Sequence, residues 1–182
     1  MPDKVDSIKQ GILNEYSIWL EPENDVALRL GKLVEYFALS SGTATFKPHV
    51  TLVSGFNDAP EILMKKMKIL AGNYKSPMIK FLSIKTKPKY FQAFFLKCER
   101  TDALMELNLE AQKLFNHRYG YEPHLSLMYG NVKNTEKKLL LQKLPAISLP
   151  SLSFKAAKIS LWHAKGRVQD WVLIKQEKFG KV

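Results

Sequence analysis

Two decapeptides, 75 residues apart in a chain of 182, repeat one pattern. Phe46-Lys47-Pro48-His49-Val50-Thr51-Leu52-Val53-Ser54-Gly55 and Tyr121-Glu122-Pro123-His124-Leu125-Ser126-Leu127-Met128-Tyr129-Gly130 both read aromatic, charged, Pro, His, apolar, hydroxyl, apolar. Each copy follows a helical pattern and a Gly-containing loop, and each precedes another helix. The repetition predicts two related halves, each carrying one short β-strand with a histidine at its start. Strand side chains alternate between faces, so His49 and Thr51 share one face while Val50 and Leu52 point to the core. His124 and Ser126 repeat that arrangement.

The rest of the pattern predicts antiparallel α+β architecture. Residues 14–20 read as a strand ended at Glu21-Pro22. Val26, Leu30, Leu33, Val34 and Phe37 fall at helical spacing over 25–39, and Ser40-Ser41-Gly42 stops that helix. Asp58 and Glu61 stand in capping-box relation with Pro60 in the first turn, so a second helix runs from there to about Ala71. Residues 77–87 and 90–98 read as paired strands joined at Pro88-Lys89. Thr101 caps a helix with Leu104, Leu107, Ala111, Leu114 and Phe115 on one face. A short helix follows over 134–144, then strands 152–163 and 170–178 turning near Gly166. Hairpin-like pairs argue against a doubly wound parallel sheet. No long Pro/Gly/Ser linker divides the chain, so residues 1–182 are expected to form one bilobal domain.

Two imidazoles and two hydroxyls facing one cavity suit chemistry at a phosphodiester. A neutral histidine takes a proton from the nucleophile, and a protonated one gives a proton to the departing oxygen. Imidazole, with a reference pKa of about 6.5, holds both states near neutrality. The hydroxyls donate to the non-bridging oxygens as phosphorus becomes five-coordinate. A single His-x-Thr is an ordinary accident of sequence; two copies in matching settings are not. A hydrolytic zinc site usually has three protein ligands, and no His-x-His or His-x-x-x-His occurs here, so metal-free, cofactor-free chemistry is expected. His117, near a helix C-terminus, and His163, at a strand end, read as structural. Ser83, Thr86 and Cys98 have no companion histidine at a recognisable spacing.

These motifs resemble the 2H phosphoesterase superfamily, defined by two His-apolar-Ser/Thr-apolar tetrapeptides, here His49-Val50-Thr51-Leu52 and His124-Leu125-Ser126-Leu127. Tyr16-Ser17-Ile18-Trp19 before Pro22, the trailing Met128-Tyr129, and Leu161 to Ile174 with Trp171 are most similar to the plant and yeast cyclic phosphodiesterases. The resemblance implies two antiparallel sheets with outer helices around a central cleft. It implies opening of ADP-ribose 1″,2″-cyclic phosphate, and of nucleoside 2′,3′-cyclic phosphates to 2′-phosphates, without metal. Carried over residue by residue, His49 and His124 become the acid/base pair and Thr51 and Ser126 the phosphate ligands. Trp19 and Tyr129 become walls for the base or ribose. Strict alternation puts Tyr129 opposite His124; a bend near Gly130 would turn it inward. His124 is assigned as base and His49 as acid, although exchanging them alters only which ester bond breaks.

Charge bears on the partner. The net charge of +11 is concentrated: residues 61–100 hold ten Lys/Arg against two Asp/Glu, and 133–182 hold eleven against three. This bias suits an anionic ligand, although single lysines mostly solvate exposed faces. An RNA-end enzyme of the 2′-5′ RNA ligase or RNA phosphodiesterase kind is the alternative within the superfamily. Sparse arginines and the lack of a basic aromatic strip argue against a long RNA track. A non-catalytic nucleotide or RNA-binding module is the alternative outside it, and the intact histidines and hydroxyls argue against that. With one cysteine there is no intrachain disulfide. Met1 to Gln10 lacks an apolar signal core, and no run approaches the roughly 20 apolar residues of a membrane span. A monomeric cytoplasmic protein away from membranes is therefore expected.

Overall fold

The computed structural model describes residues 16–144, 146 and 148–180. The Met1–Gln10 segment and the first two residues of the expected strand 14–20 lie outside them. The elements are β1 (Tyr16–Leu20), α1 (Asn24–Ser41), β2 (Val50–Phe56), α2 (Pro60–Asn73), β3 (Met78–Ile79), β4 (Phe81–Lys85), β5 (Phe94–Cys98), α3 (Asp102–Leu114), β6 (His124–Met128), α4 (Asn134–Lys143), β7 (Phe154–Lys155), β8 (Lys158–His163) and β9 (Val172–Lys178). This is the α+β class that the hairpin pattern implies.

Seven strands form one sheet in the order β4-β5-β6-β2-β1-β8-β9, every neighbour antiparallel, and β3 pairs with β7 separately. The two expected sheets are therefore the three-stranded and four-stranded halves of this sheet. They touch through one ladder pair, Val50 with Leu125. No other ladder partner is shared by β2 and β6 among the described residues.

Helices close the far side. α1 packs on β6 and α3 on β2. Each helix that precedes a motif in sequence thus covers the motif strand of the other half, and this exchange ties the halves together. Leu30 and Phe37 of α1 are buried, as are Leu104, Leu107 and Ala111 of α3, in the same core as Val50, Leu52, Leu125 and Leu127. α1 ends at Gly42, whose φ of 64° is a conformation that favours glycine. α3 starts as expected, with Thr101 accepting from the Leu104 N–H. α2 differs by one residue from the expected capping box. Its N-cap is Ala59, without a side-chain bond, because Pro60 takes the first helical position and the Asp58 carboxylate turns to Lys66 at 3.5 Å.

One buried polar group links α3 to the first motif. Asn108, 2% exposed, donates from Nδ2 to the Leu52 carbonyl at 2.6 Å, and Gln112 donates to Asn108 Oδ1 at 2.7 Å. Asn108→Ala strands the Gln112 amide and leaves the Leu52 carbonyl only the longer 3.4 Å bond from Tyr119, so it should cost about 1–3 kcal/mol of unfolding free energy. Urea denaturation checks this; a change below about 0.5 kcal/mol would show that the bond does not hold β2 to α3.

Candidate active site

His49 precedes the first residue of β2, after Pro48 and Lys47. Its Nδ1 lies 2.7 Å from the Lys47 carbonyl. A carbonyl only accepts, so Nδ1 carries the hydrogen and the neutral ring keeps its lone pair on Nε2. His124, first residue of β6, repeats this with the Glu122 carbonyl at 2.8 Å. In both halves the imidazole is thus tied to the carbonyl two residues upstream. Both rings line one cavity of about 580 Å³ with Thr51, Ser54, Ser126 and Tyr129, the segment Pro88–Gln92, and the segment Tyr119–Glu122.

A bulge in each motif strand decides what else reaches this cavity. Thr51 pairs with Trp19 and Val53 with Ile18, so Leu52 is an extra residue on β2. Ser126 pairs with Phe95 and Met128 with Phe94, so Leu127 is an extra residue on β6. Both bulges fall at the fourth motif position. An extra residue reverses the alternation that follows it. The side chain five residues after each histidine therefore returns to the histidine's face: Ser54 in the first half, Tyr129 in the second. The inward turn of Tyr129 comes from Leu127 rather than from a bend at Gly130. Leu52, out of register with β1, has its carbonyl bonded by Asn108 and, at 3.4 Å, by the Tyr119 hydroxyl.

The halves differ in what backs each ring. His49, 6% exposed, stacks on Trp19 with ring centres 3.5 Å apart and planes 5° apart. Trp19 stacks in turn on Trp162 at 4.5 Å, and the Trp162 N–H donates to the buried Glu21 carboxylate at 2.8 Å. Lys47 is the ion-pair partner of Glu21. Trp19 itself is 2% exposed and stands behind His49, not among the cavity-lining residues. In that position it supports the imidazole. Tyr129 does line the cavity, stacked on Phe46 at 3.8 Å with Phe91 edge-on at 5.1 Å.

The second motif is strapped; the first is not. Segment 87–92, which includes a short 3-10 turn at Tyr90–Gln92, lies along β6. The Ser126 hydroxyl donates to the Phe91 carbonyl at 2.6 Å, the Gly130 N–H to the Tyr90 carbonyl at 2.9 Å, and Lys137 Nζ to the Lys87 carbonyl at 2.6 Å. Lys87 also pairs with the Glu122 carboxylate, and Gln92 reaches His124. Thr51, by contrast, is half-buried and lines the cavity.

Burial sets the electrostatics. It lowers His49 to about 4, against smaller upward pulls from the Lys47 carbonyl and the Glu21 carboxylate. It lowers His124 as well, opposed by the Glu122 carbonyl and carboxylate and assisted by Lys87 and Lys89. Each histidine with a depressed pKa is neutral at pH 7, and His49 takes up its proton last as pH falls.

The other histidines stand elsewhere. His117 packs beside Phe56 and Tyr119, and His163 beside Tyr16. Cys98 is buried in the core. Among the described residues no three His, Cys, Asp or Glu side chains are grouped to hold a metal ion, and no helix is long and apolar enough to cross a membrane. Ser54, Gln92, Tyr90, Phe91 and Tyr119 are cavity residues that the motif pattern did not single out. Ser54 was within reach of the sequence, since it occupies the place of Tyr129 in the repeat. The strap carried no signal, because only folding lays it over β6.

Comparison with known proteins agrees with this geometry. The chain is 30% identical over 151 residues to the cyclic phosphodiesterase of Arabidopsis thaliana, covering 80% of this chain and 83% of that one. It shares its fold with Escherichia coli LigT at a TM-score of 0.61 and 14% identity, covering 92% of this chain and 98% of LigT. It also shares it with a Thermus thermophilus protein at a TM-score of 0.64 and 12% identity, covering 92% of this chain and 100% of that one. With residues 15–179 matching the model of the cyclic phosphodiesterase-like protein family, the chain belongs to that family of 2H phosphoesterases and is an enzyme of the cyclic phosphodiesterase class.

Proposed function

We propose that the chain hydrolyses small nucleotide cyclic phosphates, ADP-ribose 1″,2″-cyclic phosphate and nucleoside 2′,3′-cyclic phosphates, by general acid/base action of two histidines without metal. The observation that carries this reading is the matched tie of each Nδ1 to a carbonyl, which leaves two Nε2 atoms for one cavity. His49, the more strongly desolvated, is the neutral base and His124 the protonated acid, the reverse of the assignment made from the motifs alone. His49 Nε2 takes a proton from water as the water oxygen bonds to phosphorus. The bond from phosphorus to the ring oxygen breaks, and that oxygen takes the proton of His124 Nε2; loss of O3′ leaves the 2′-phosphate. Thr51 donates to a non-bridging oxygen. Ser126 does so only by giving up its bond to Phe91. Phe91, half-buried in the cavity wall beside Tyr129, offers an aromatic ring to a base.

An RNA end is the second reading, supported by Lys89 in the cavity lining, with Lys85 and Lys87 near it in sequence. Faster turnover of an oligonucleotide cyclic phosphate than of a mononucleotide would favour it.

Replacement kinetics with nucleoside 2′,3′-cyclic phosphates should separate the roles. His49→Ala and His124→Ala should each lower kcat about 10²–10⁴-fold. Thr51→Ala should cost about 10²–10³-fold, and Ser126→Ala less, because its hydrogen already has an acceptor. His117→Ala and His163→Ala should stay near the parent rate. Equal losses for Thr51→Ala and Ser126→Ala would mean that the strap releases Ser126 on binding.

Both histidines are lowered, so the form with His49 neutral and His124 protonated dominates between about 4 and the value of His124, below the usual 6.5. Accordingly kcat/KM should peak on the acid side of neutrality, rising through the His49 limb and falling through the His124 limb as pH increases. The kcat profile should lie at higher pH, because a bound phosphate anion favours both imidazolium forms. A kcat/KM profile flat from about pH 4 to 8, with chemistry rate-limiting, contradicts the two-histidine mechanism.

Turnover should be unchanged by EDTA. Loss of activity restored by zinc or manganese would replace this mechanism with a metal-assisted one.

A further inference from the structure

Gln92 stands at the junction of the strap and the second motif. Its amide Nε2 is 3.2 Å from His124 Nε2 and 3.4 Å from His124 Nδ1. A point so nearly equidistant from both ring nitrogens cannot lie in the ring plane, where it would collide with the ring carbons. The amide nitrogen therefore sits over the face of the imidazole. The Nδ1 hydrogen remains in the plane toward Glu122, and the Nε2 lone pair remains available to substrate. Each of the two imidazoles thus has one covered face, with an indole on His49 and a carboxamide on His124.

The two covers behave differently when a ring gains a proton. A neutral imidazole has an electron-rich face, which an N–H can approach. An imidazolium repels an amide N–H and attracts a carbonyl oxygen. The oxygen of the same carboxamide, Gln92 Oε1, is buried and has no hydrogen-bond partner among the described residues. A buried acceptor without a partner is costly. Turning the amide over would bring that oxygen to the ring when the ring is cationic.

The backbone of Gln92 is fixed while this happens. Its N–H donates to the Lys89 carbonyl and its carbonyl accepts from the Lys87 N–H, both at 3.0 Å. Ser126 bonds the Phe91 carbonyl next to it. Only the side-chain amide is left to turn.

We propose that Gln92 is a positioning residue for His124, one that holds the ring through both protonation states by presenting its N–H to the neutral imidazole and its carbonyl oxygen to the imidazolium. The proposal rests on the acid/base reading of His124 given above. Other charges also face that ring. Lys87 and Lys89 approach it from the strap, Glu122 from the start of its own strand, Lys97 from the paired position on β5, and His49 from across the cavity. Phe95 presents an edge contact at 5.4 Å.

Two variants test this, with His124 followed by NMR titration of its ring resonances and turnover measured in parallel. Gln92→Glu places a carboxylate where the amide was. It should raise the His124 titration midpoint by about 1–3 pH units, leave His49 much less affected, and move the His124 limb of kcat/KM upward. Gln92→Met keeps length but loses both polar ends. It should lower kcat about tenfold with KM within about twofold, and thermal melting controls for folding. A His124 midpoint unmoved in Gln92→Glu, or parent kcat and pH profile in Gln92→Met, overturns the proposal. If the parent protein titrates as described and Gln92→Glu shifts His124, while no cyclic phosphate is turned over, the proposed substrate fails and the pairing of Gln92 with His124 stands.

Discussion

The site depends on where two strands stop pairing. β2 and β6 share only Val50 with Leu125, and the bulges at Leu52 and Leu127 follow two residues later on each strand. Residues of both motifs, on either side of this pair, line the cavity. The bulge also requires that a backbone carbonyl find a partner outside the sheet, since a buried carbonyl left unpaired is costly. At Leu52 that partner is Asn108 of α3, supported by Gln112. The helix that precedes the second motif thus completes the hydrogen bonding of the first, so neither half is finished without the other.

In this arrangement the imidazoles are held by the simplest means available, a main-chain carbonyl two residues upstream. Pro48 and Pro123 between carbonyl and histidine stiffen that short span. The pseudo-twofold ends there. His49 is backed by a column of indoles resting on the buried Glu21 carboxylate. His124 is covered by a carboxamide and has cationic and anionic neighbours. Two residues alike in sequence setting thereby acquire different proton affinities, and a reaction needing one acid and one base requires such a difference.

The same asymmetry extends to the hydroxyls. Thr51 lines the cavity, and Ser126 donates its hydroxyl hydrogen to the Phe91 carbonyl in a segment also fastened by Lys137, Lys87 and Gly130. A rigid strap on one side of the cavity and an unstrapped strand on the other make the second half the template. Concentration of lysine over residues 61–100 supplies part of that strap as well as part of the positive charge.

Sequence periodicity carried the class of fold because hydrophobic spacing and turn residues act locally: Thr101 caps α3, Gly42 ends α1, and hairpin spacing gives antiparallel pairs wherever the partner is near in the chain. The repeat carried His49, Thr51, His124 and Ser126 to one cavity, because period-two alternation over three residues needs no tertiary information. Beyond the third residue it failed. The bulges that bring Ser54 and Tyr129 inward belong to the register between neighbouring strands, which no single strand encodes. Trp19 was legible as an aromatic beside the site, but whether it faced ligand or backed an imidazole depended on where β1 lay against β2 and β8. Gln92 had no motif and no near neighbour in sequence to mark it. The local code determined which residue types come together and on which face. Packing across the sheet decided their protonation, their backing and their partners, because desolvation and hydrogen-bond completion depend on every element that surrounds a group.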